Sequence, residues 1–248
     1  MLVSARSFAD YRAMFALTER DLEQRILDCP AGAASFVAEA GRRGVDAVAV
    51  DREYAFHREE LGLMVELETR FKCPTLVREA KDFVWSWYAD PHDLARQWIG
   101  NARLFRADIA ARPERYIAGE LPELPFHNGS FDLVLSSHLL FSYGNRLGED
   151  FLRAGLLELA RVARREVRIF PVTVYDTGER HPGLDRLREE LGGLGIASRV
   201  ERVAYEFQPG SDELLVLSCA RYRARARTVP PGAAAVDPVR WRHREGGA

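Results

Sequence analysis

Residues 26–35 read ILDCPAGAAS: a short apolar run reaches an acid, Asp28, and is followed by a series of small residues and the start of a helical pattern. The next apolar run, DAVAVD at residues 46–51, also ends in an acid, Asp51. Strand, tight turn, helix and strand in this order predict a βαβ unit with parallel strands. The carboxyl ends of such strands, next to a helix N-terminus, are where ligands bind in α/β sheets. This stretch therefore predicts an α/β fold and a site at the end of its first strand.

The same alternation continues along the chain. Further apolar runs lie at residues 115–118, 131–136 and 166–170, and helical patterns cover about residues 35–43, 150–165 and 183–194. The last two extended segments, residues 198–207 and 213–219, flank the turn-rich sequence QPGSD and predict an antiparallel hairpin. Together with the strand at residues 25–28, these runs predict a doubly wound, mostly parallel seven-stranded sheet that ends in an antiparallel hairpin.

An insert interrupts this rhythm between the second and third strands. Residues 52–114 are too long for one crossover helix and predict helices at about 53–71, 74–88 and 93–105. The insert concentrates the large aromatic residues Trp85, Trp87, Tyr88 and Trp98. They either pack a helical subdomain onto the core or form the apolar wall of a substrate pocket, with Trp85 and Tyr88 as candidates for that wall. Residues 1–220 are expected to form one domain, and the arginine-rich residues 221–248 a poorly ordered tail.

Composition narrows the range of functions. The 248 residues include 47% hydrophobic and 29% charged residues, as expected for a globular domain. A net charge of -2 predicts no nucleic-acid partner. No apolar run is long enough to span a membrane, and the start lacks the pattern of a secretory signal, so we expect a cytoplasmic protein. Three dispersed cysteines and six histidines without ligand spacing predict neither a disulfide nor a metal site. The oligomeric state stays open.

Five features in order resemble the class I S-adenosylmethionine-dependent methyltransferases over about residues 20–220. They are Asp28 with Gly32, Asp51, Glu120, Leu124-Pro125-Phe126, and Ser130-Phe131-Asp132. The resemblance implies the Rossmann-like methyltransferase fold, whose final hairpin a NAD-binding domain lacks. It also implies S-adenosylmethionine as cofactor: the first loop near its methionine part, Asp51 on its ribose and Glu120 on its adenine. The candidate cofactor residues are Asp28, Pro30, Ala31, Gly32, Asp51, Arg52, Glu120, Leu121 and Ser136.

The first loop departs from the family pattern at two positions. Pro30 and Ala34 stand where family members carry glycine. Pro30 removes a backbone donor, and Ala34 adds a methyl group next to the cofactor or the sheet. Arg12 precedes the first strand, in a segment that often closes over the cofactor in this family, and is a candidate partner of the methionine carboxylate. An exposed arginine without this role is the alternative.

His138 follows the fourth strand and is the candidate general base, because an imidazole exchanges protons near neutral pH. A histidine that only packs or bonds locally is the alternative. Tyr143 and Tyr175 follow the fourth and fifth strands and are candidates for the acceptor site. We therefore expect methyl transfer to a small-molecule acceptor. The alternatives are a cofactor-binding protein of this fold without turnover and, less favoured, a NAD-dependent oxidoreductase.

Overall fold

The computed structural model describes residues 5–222 and residue 224, and it contains one seven-stranded sheet. The strands are β1 (Ile26–Asp28), β2 (Ala47–Asp51), β3 (Tyr116–Ala118), β4 (Phe131–Ser137), β5 (Ala163–Phe170), β6 (Ala197–Arg202) and β7 (Glu213–Ser218). Their order across the sheet is β3-β2-β1-β4-β5-β7-β6. Strands β1 to β5 pair in parallel, whereas β7 is antiparallel to both of its neighbours. The predicted fold class is confirmed.

Helices cover both faces of this sheet. They are α1 (Phe8–Met14), α2 (Glu19–Leu22), α3 (Phe36–Arg42), α4 (Arg58–Arg78), α5 (Pro91–Ala111), α6 (Gly144–Leu147), α7 (Glu149–Val162) and α8 (Leu184–Gly193). Alternation along the strands divides the core, since Ile26 faces one layer and Leu27 the other. Helices α1, α3, α4 and α5 pack on the first layer, and α7 and α8 on the second. None of the described helices has the length and apolarity needed to cross a membrane.

The insert at residues 52–114 shares its core with the sheet. Leu61 of α4 and Phe105 of α5 are buried in the same apolar cluster as Ile26 of β1. The predicted break between two insert helices near residue 73 is wrong, because α4 continues through Pro74 to residue 78. Pro74 lies on the exposed side of the helix, where water can reach the carbonyl that loses its backbone donor. Residues 79–88 form a short 3-10 turn and a loop instead of the second predicted helix.

Two other predicted boundaries are also wrong. The helix predicted for residues 150–165 ends at Val162, because Ala163 already pairs with Phe131 as the first residue of β5. The strand predicted for residues 198–207 ends at Arg202. Its last residues leave the sheet because Phe207 stacks on Phe83 of the insert, with ring centroids 4.5 Å apart. The predicted tail, apart from residues 221, 222 and 224, lies outside the described residues.

Candidate functional site

The sheet forms a crevice where the strand order changes direction, between β1 and β4. From β1 the chain proceeds outward through β2 to β3, and then returns to β4 on the other side of β1. Asp28, Asp51 and Ser136 lie at the carboxyl ends of β1, β2 and β4. In an open α/β sheet, ligands bind in the gap at such a change of direction, beyond the carboxyl ends of the strands. We refer to this region as the crevice.

The loop after β1 presents an open backbone surface at Gly32. This residue has φ +55°, and a Cβ built on it meets no atom within 4 Å. Its amide donates to Asp51 Oδ2 at 2.8 Å, and its carbonyl accepts from the Tyr54 hydroxyl at 2.7 Å. The amide of Ala31 donates to the carbonyl of Val50 at 3.0 Å. These hydrogen bonds to β2 and to Tyr54 hold the loop in place. The side of Gly32 where a Cβ would lie stays open to a ligand.

Asp51 holds this loop to the second strand. Its two carboxylate oxygens accept the amides of Gly32, at 2.8 Å, and of Glu53, at 3.0 Å. Burial raises the pKa of Asp51, and the two amide hydrogen bonds oppose that rise. Each oxygen has a second lone pair that can accept a further donor. The carboxylate is thus fixed in orientation and still able to bind a hydroxyl group.

Asp28 and Ser136 carry polar atoms that are buried without a partner. Asp28 Oδ1 accepts the Tyr11 hydroxyl at 3.1 Å, whereas its Oδ2 and the Ser136 hydroxyl have no hydrogen bond. Asp28 is only 1% exposed, and burial together with the charge of Asp51 raises its pKa well above the usual value. Unsatisfied buried groups are rare in folded proteins, and such atoms point to a missing ligand or water. The crevice is therefore prepared to receive hydrogen-bond donors.

Glu120 and Arg52 lie at the rim of the crevice next to β3. Their side chains are exposed and form an ion pair, Arg52 Nη1 to Glu120 Oε2, at 3.6 Å. Leu121 beside them is buried in the layer that contains α7. The structure thus places these three predicted residues on one side of the crevice, with an exposed charged pair beside a buried apolar side chain.

Arg12 does not join the crevice group: it forms an exposed ion pair with Glu19 at 2.8 Å. The basic residue that acts there is Arg6. Its positive charge adds to burial in lowering the pKa of His138, and it opposes the rise in the pKa of Asp28. The Arg6 carbonyl accepts the amide of Ser35 at 2.9 Å, which fixes the segment before α1 at the start of α3.

His138 has an unusual backbone conformation directly after β4. Its φ is +51°, which is rare for a residue other than glycine and is concentrated at functional sites. Its Nδ1 lies 2.7 Å from the Ser137 hydroxyl, and its ring packs against Phe170. Burial, followed by the charge of Arg6, lowers the pKa of the imidazole well below its usual value. The lowered pKa favours the neutral ring, in which one nitrogen keeps a free lone pair.

The insert reaches the crevice side of the fold through residues 83–88. Asp10 of α1 accepts Trp87 Nε1 at 2.9 Å and the Tyr88 hydroxyl at 3.0 Å. The Tyr88 hydroxyl also lies 3.0 Å from that of Tyr205, whose ring packs on Phe170. Phe170 is the ring that contacts His138. Tyr88 is thus linked to the neighbourhood of His138 through two intervening aromatic rings.

The remaining aromatic candidates occupy two other places. Trp85 donates to the carbonyl of Ala80 at 2.7 Å and packs edge-on against Phe207, so it joins the insert to the chain after β6. Tyr143 stacks on Tyr175 with ring centroids 5.7 Å apart. Burial raises the pKa of Tyr143, and the positive charge of Arg6 lowers it. The same arginine lowers the pKa of His138.

Sequence reasoning missed several residues of this region: Arg6, Asp10, Tyr11, Tyr54 and Tyr205. One of them had a local signal. Tyr11 lies one helical turn before the buried Phe15, so the two share a side of the chain, whereas Arg12 is rotated by about 100° from Tyr11. No comparable pattern marks Arg6 or Tyr205, which reach the site from distant segments.

The strand order, with an antiparallel β7 inserted between β5 and β6, is that of the class I methyltransferase fold. The chain therefore has the Rossmann-like class I methyltransferase fold. The described residues contain no group of three or more His, Cys, Asp or Glu side chains that could hold a metal ion.

The chain is similar to known proteins only at low identity. No family model matches the chain. An uncharacterized protein of Methanocaldococcus jannaschii is 29% identical over 213 residues, which is 86% of this chain and 93% of that protein. Magnesium protoporphyrin IX methyltransferase from Synechocystis, solved with bound SAM, is 14% identical over 79% of this chain and 69% of its own, with a TM-score of 0.42. A Burkholderia thailandensis 1,6-didemethyltoxoflavin-N1-methyltransferase, solved with S-adenosylhomocysteine, is 16% identical over 90% of this chain and 79% of its own, with a TM-score of 0.42.

Proposed function

We propose that this protein is an S-adenosylmethionine-dependent methyltransferase that acts on a small molecule. The observation that carries the proposal is the arrangement of the crevice: an open backbone surface at Gly32 lies beside the fixed carboxylate of Asp51. Buried Asp28 Oδ2 and the Ser136 hydroxyl lack partners at the same strand ends. A ligand rich in hydroxyl and amino donors would satisfy these atoms.

The residues present fit this cofactor. Asp51 would accept the ribose hydroxyls, and Asp28 would accept from a donor deep in the crevice. Glu120 and Arg52, with Leu121 beneath, would lie at the adenine. Pro30 has no amide hydrogen, and the loop is held instead by the amides of Ala31 and Gly32. When bound, the cofactor supplies a methyl group activated by a sulfonium.

The protein's own part in transfer is to orient the acceptor, exclude water and accept a proton. We infer that the neutral imidazole of His138 takes the proton that the acceptor loses when it is methylated. The Ser137 hydroxyl at 2.7 Å orients the ring. Helix α1 covers the crevice through the bond from Tyr11 to Asp28, and the buried pair Tyr88 and Tyr205 would support the acceptor side from behind.

A turnover screen tests this function. The full chain is incubated with S-adenosylmethionine carrying a labelled methyl group and a panel of small molecules with hydroxyl, amine or thiol groups. Label in an acceptor, lost in the Asp51→Asn variant, supports methyl transfer. Cofactor binding without transfer to any acceptor would favour the binding protein, and hydride exchange with NAD would favour the oxidoreductase.

The Asp28→Asn variant is expected to be more stable than the wild type in the absence of cofactor. Its pKa is raised by folding, so the charged carboxylate opposes folding above that pKa. Removing the charge should therefore raise the free energy of unfolding at pH 7. The gain should be lost as pH falls through the raised pKa of the folded state toward the unfolded value of about 4. Urea unfolding at several pH values measures this.

Asp10→Asn is the matched control for that experiment. Asp10 is equally buried, but both of its oxygens accept donors, from the Ser7 amide and from Trp87 and Tyr88. An asparagine there places an amide donor against a donor, so this variant should be less stable. Stabilisation by Asp10→Asn, or destabilisation by Asp28→Asn, would show that the partnerless oxygen does not determine the effect.

Tyr88→Phe is expected to lower turnover while the affinity for S-adenosylmethionine stays within a few-fold. The variant keeps the ring but loses the hydrogen bonds to Asp10 and Tyr205 that link the insert to the acceptor side. Acceptor orientation is separable from cofactor binding, so kcat should fall by about tenfold. Steady-state kinetics and calorimetry measure the two quantities. An equal loss of both would instead assign Tyr88 a purely structural role.

A further inference from the structure

The outer side of α4 exposes a row of large apolar residues. Leu63, Met64, Leu67 and Phe71 are 45%, 43%, 46% and 80% exposed, and their spacing places them on one side of the helix. The opposite side of α4 is buried in the core through Leu61. A helix that is apolar on two opposite sides is normally covered on both. Contiguous exposed apolar surface of this kind marks an interaction site.

We propose that this outer α4 face (Leu63, Met64, Leu67 and Phe71) binds the same face of a second copy of the chain, with the two helices antiparallel. The charged residues at the two ends of the face indicate both the partner and the antiparallel orientation of the two helices. Glu60 and Arg78 are both exposed and are separated by five turns of about 3.6 residues, so they lie on the same side as the apolar row.

In an antiparallel twofold pair, each Glu60 faces the partner subunit's Arg78, and Leu67 lies over the partner subunit's Phe71. A parallel pair would instead place Glu60 of both copies together and Arg78 of both copies together. The face is therefore complementary to itself in one direction only, as a twofold interface requires. Within its own chain Arg78 makes a long ion pair, 3.7 Å to the adjacent Glu79, and donates to Thr75 Oγ1 at 3.3 Å, both of which a facing carboxylate can replace.

The chain's own C-terminal segment is a less suitable cover for this face. The described chain ends near Tyr222, which packs on the layer that contains α7. Helix α4 lies on the other layer, with α3 and α5. The last described residues thus lie on the other side of the sheet from this face, whereas a second copy meets the face directly.

Sedimentation velocity of the full chain, from about 1 to 100 µM, tests the proposal. We expect a concentration-dependent equilibrium between monomer and dimer. Glu60→Arg and Arg78→Glu should each weaken the dimer by about tenfold, since each disrupts two symmetry-related pairs. The combined variant E60R/R78E should restore the wild-type dissociation constant. Glu189→Arg, an exposed charge reversal on α8 at the other side of the sheet, is the matched control and should have no effect.

Variants that remove the apolar contacts of the outer α4 face test the dimer independently of its charges. The double variant L67E/F71E should remain monomeric at every concentration and keep its melting temperature, because both side chains are exposed in the monomer. A wild-type chain that is monomeric throughout would overturn the proposal. A dimer that survives in L67E/F71E, or charge reversals that do not restore each other, would overturn it as well. A chain truncated after residue 224 that dimerises when the full chain does not would show that the tail covers the face.

Discussion

Replacing Asp51 with asparagine should raise the dissociation constant of S-adenosylmethionine by about tenfold to hundredfold, equivalent to about 1–3 kcal/mol. Both oxygens of Asp51 already accept backbone amides, from Gly32 and Glu53. The new amide group would place a donor against one of these donors and would disturb the loop that carries Gly32. It would also remove an acceptor for the ribose hydroxyls. Calorimetric titration of the folded variant measures the change.

Asp46→Asn is the matched control, because Asp46 directly precedes the same strand at its other end and its side chain is 68% exposed. This variant should bind S-adenosylmethionine like the wild type. An Asp51→Asn variant that folds and retains wild-type affinity would remove Asp51 from the cofactor site, and with it the assignment of the loop after β1.

Replacing His138 with asparagine should lower kcat by about 10²–10⁴-fold, the usual contribution of a general base. Asparagine tolerates positive φ better than most residues, so the backbone at +51° should be preserved. The dissociation constant of S-adenosylmethionine should stay within a few-fold. His127→Asn, on the exposed loop before β4, is the control and should have no effect on turnover. A His138→Asn enzyme with wild-type kcat would show that the histidine only packs against Phe170.

The pH dependence of stability gives a second test of the neutral imidazole. Folding lowers the pKa of His138 from about 6.5, so the unfolded chain binds the proton more readily. The wild type should therefore lose stability as pH falls below about 6.5 toward the lower pKa of the folded state. In His138→Asn this component should be absent and the profile flatter. Equal slopes for both proteins would show that His138 is not buried in its neutral form.

The crevice residues at the strand ends were predictable because their signals are local. An apolar run that ends in an acid places that acid at the carboxyl end of a strand, and parallel strands bring Asp28 and Asp51 to the same edge. The small residues before α3 likewise indicated an open loop at Gly32. What the sequence did not indicate is that Asp51 bonds to that loop directly, since this depends on the register between β1 and β2.

The residues that surround the crevice were less accessible to sequence reasoning. Arg6 acts on His138 from a segment more than a hundred residues away, and Tyr205 arrives from the loop before β7. The strand predicted through residue 207 failed for the same reason. An extended pattern with aromatic residues is equally compatible with a strand and with a segment that packs on the insert, and only the tertiary contact of Phe207 with Phe83 decides between them.

Calorimetric titration of the wild-type chain with S-adenosylmethionine, alongside NAD, tests the central claim most directly. The crevice should bind S-adenosylmethionine at one site with a dissociation constant on the order of 1–100 µM, within the usual range for enzyme ligands, and should give no heat with NAD. Absence of binding by the folded protein, or preference for NAD, would contradict the assignment of Gly32, Asp51 and Asp28 to a methyl-donor site.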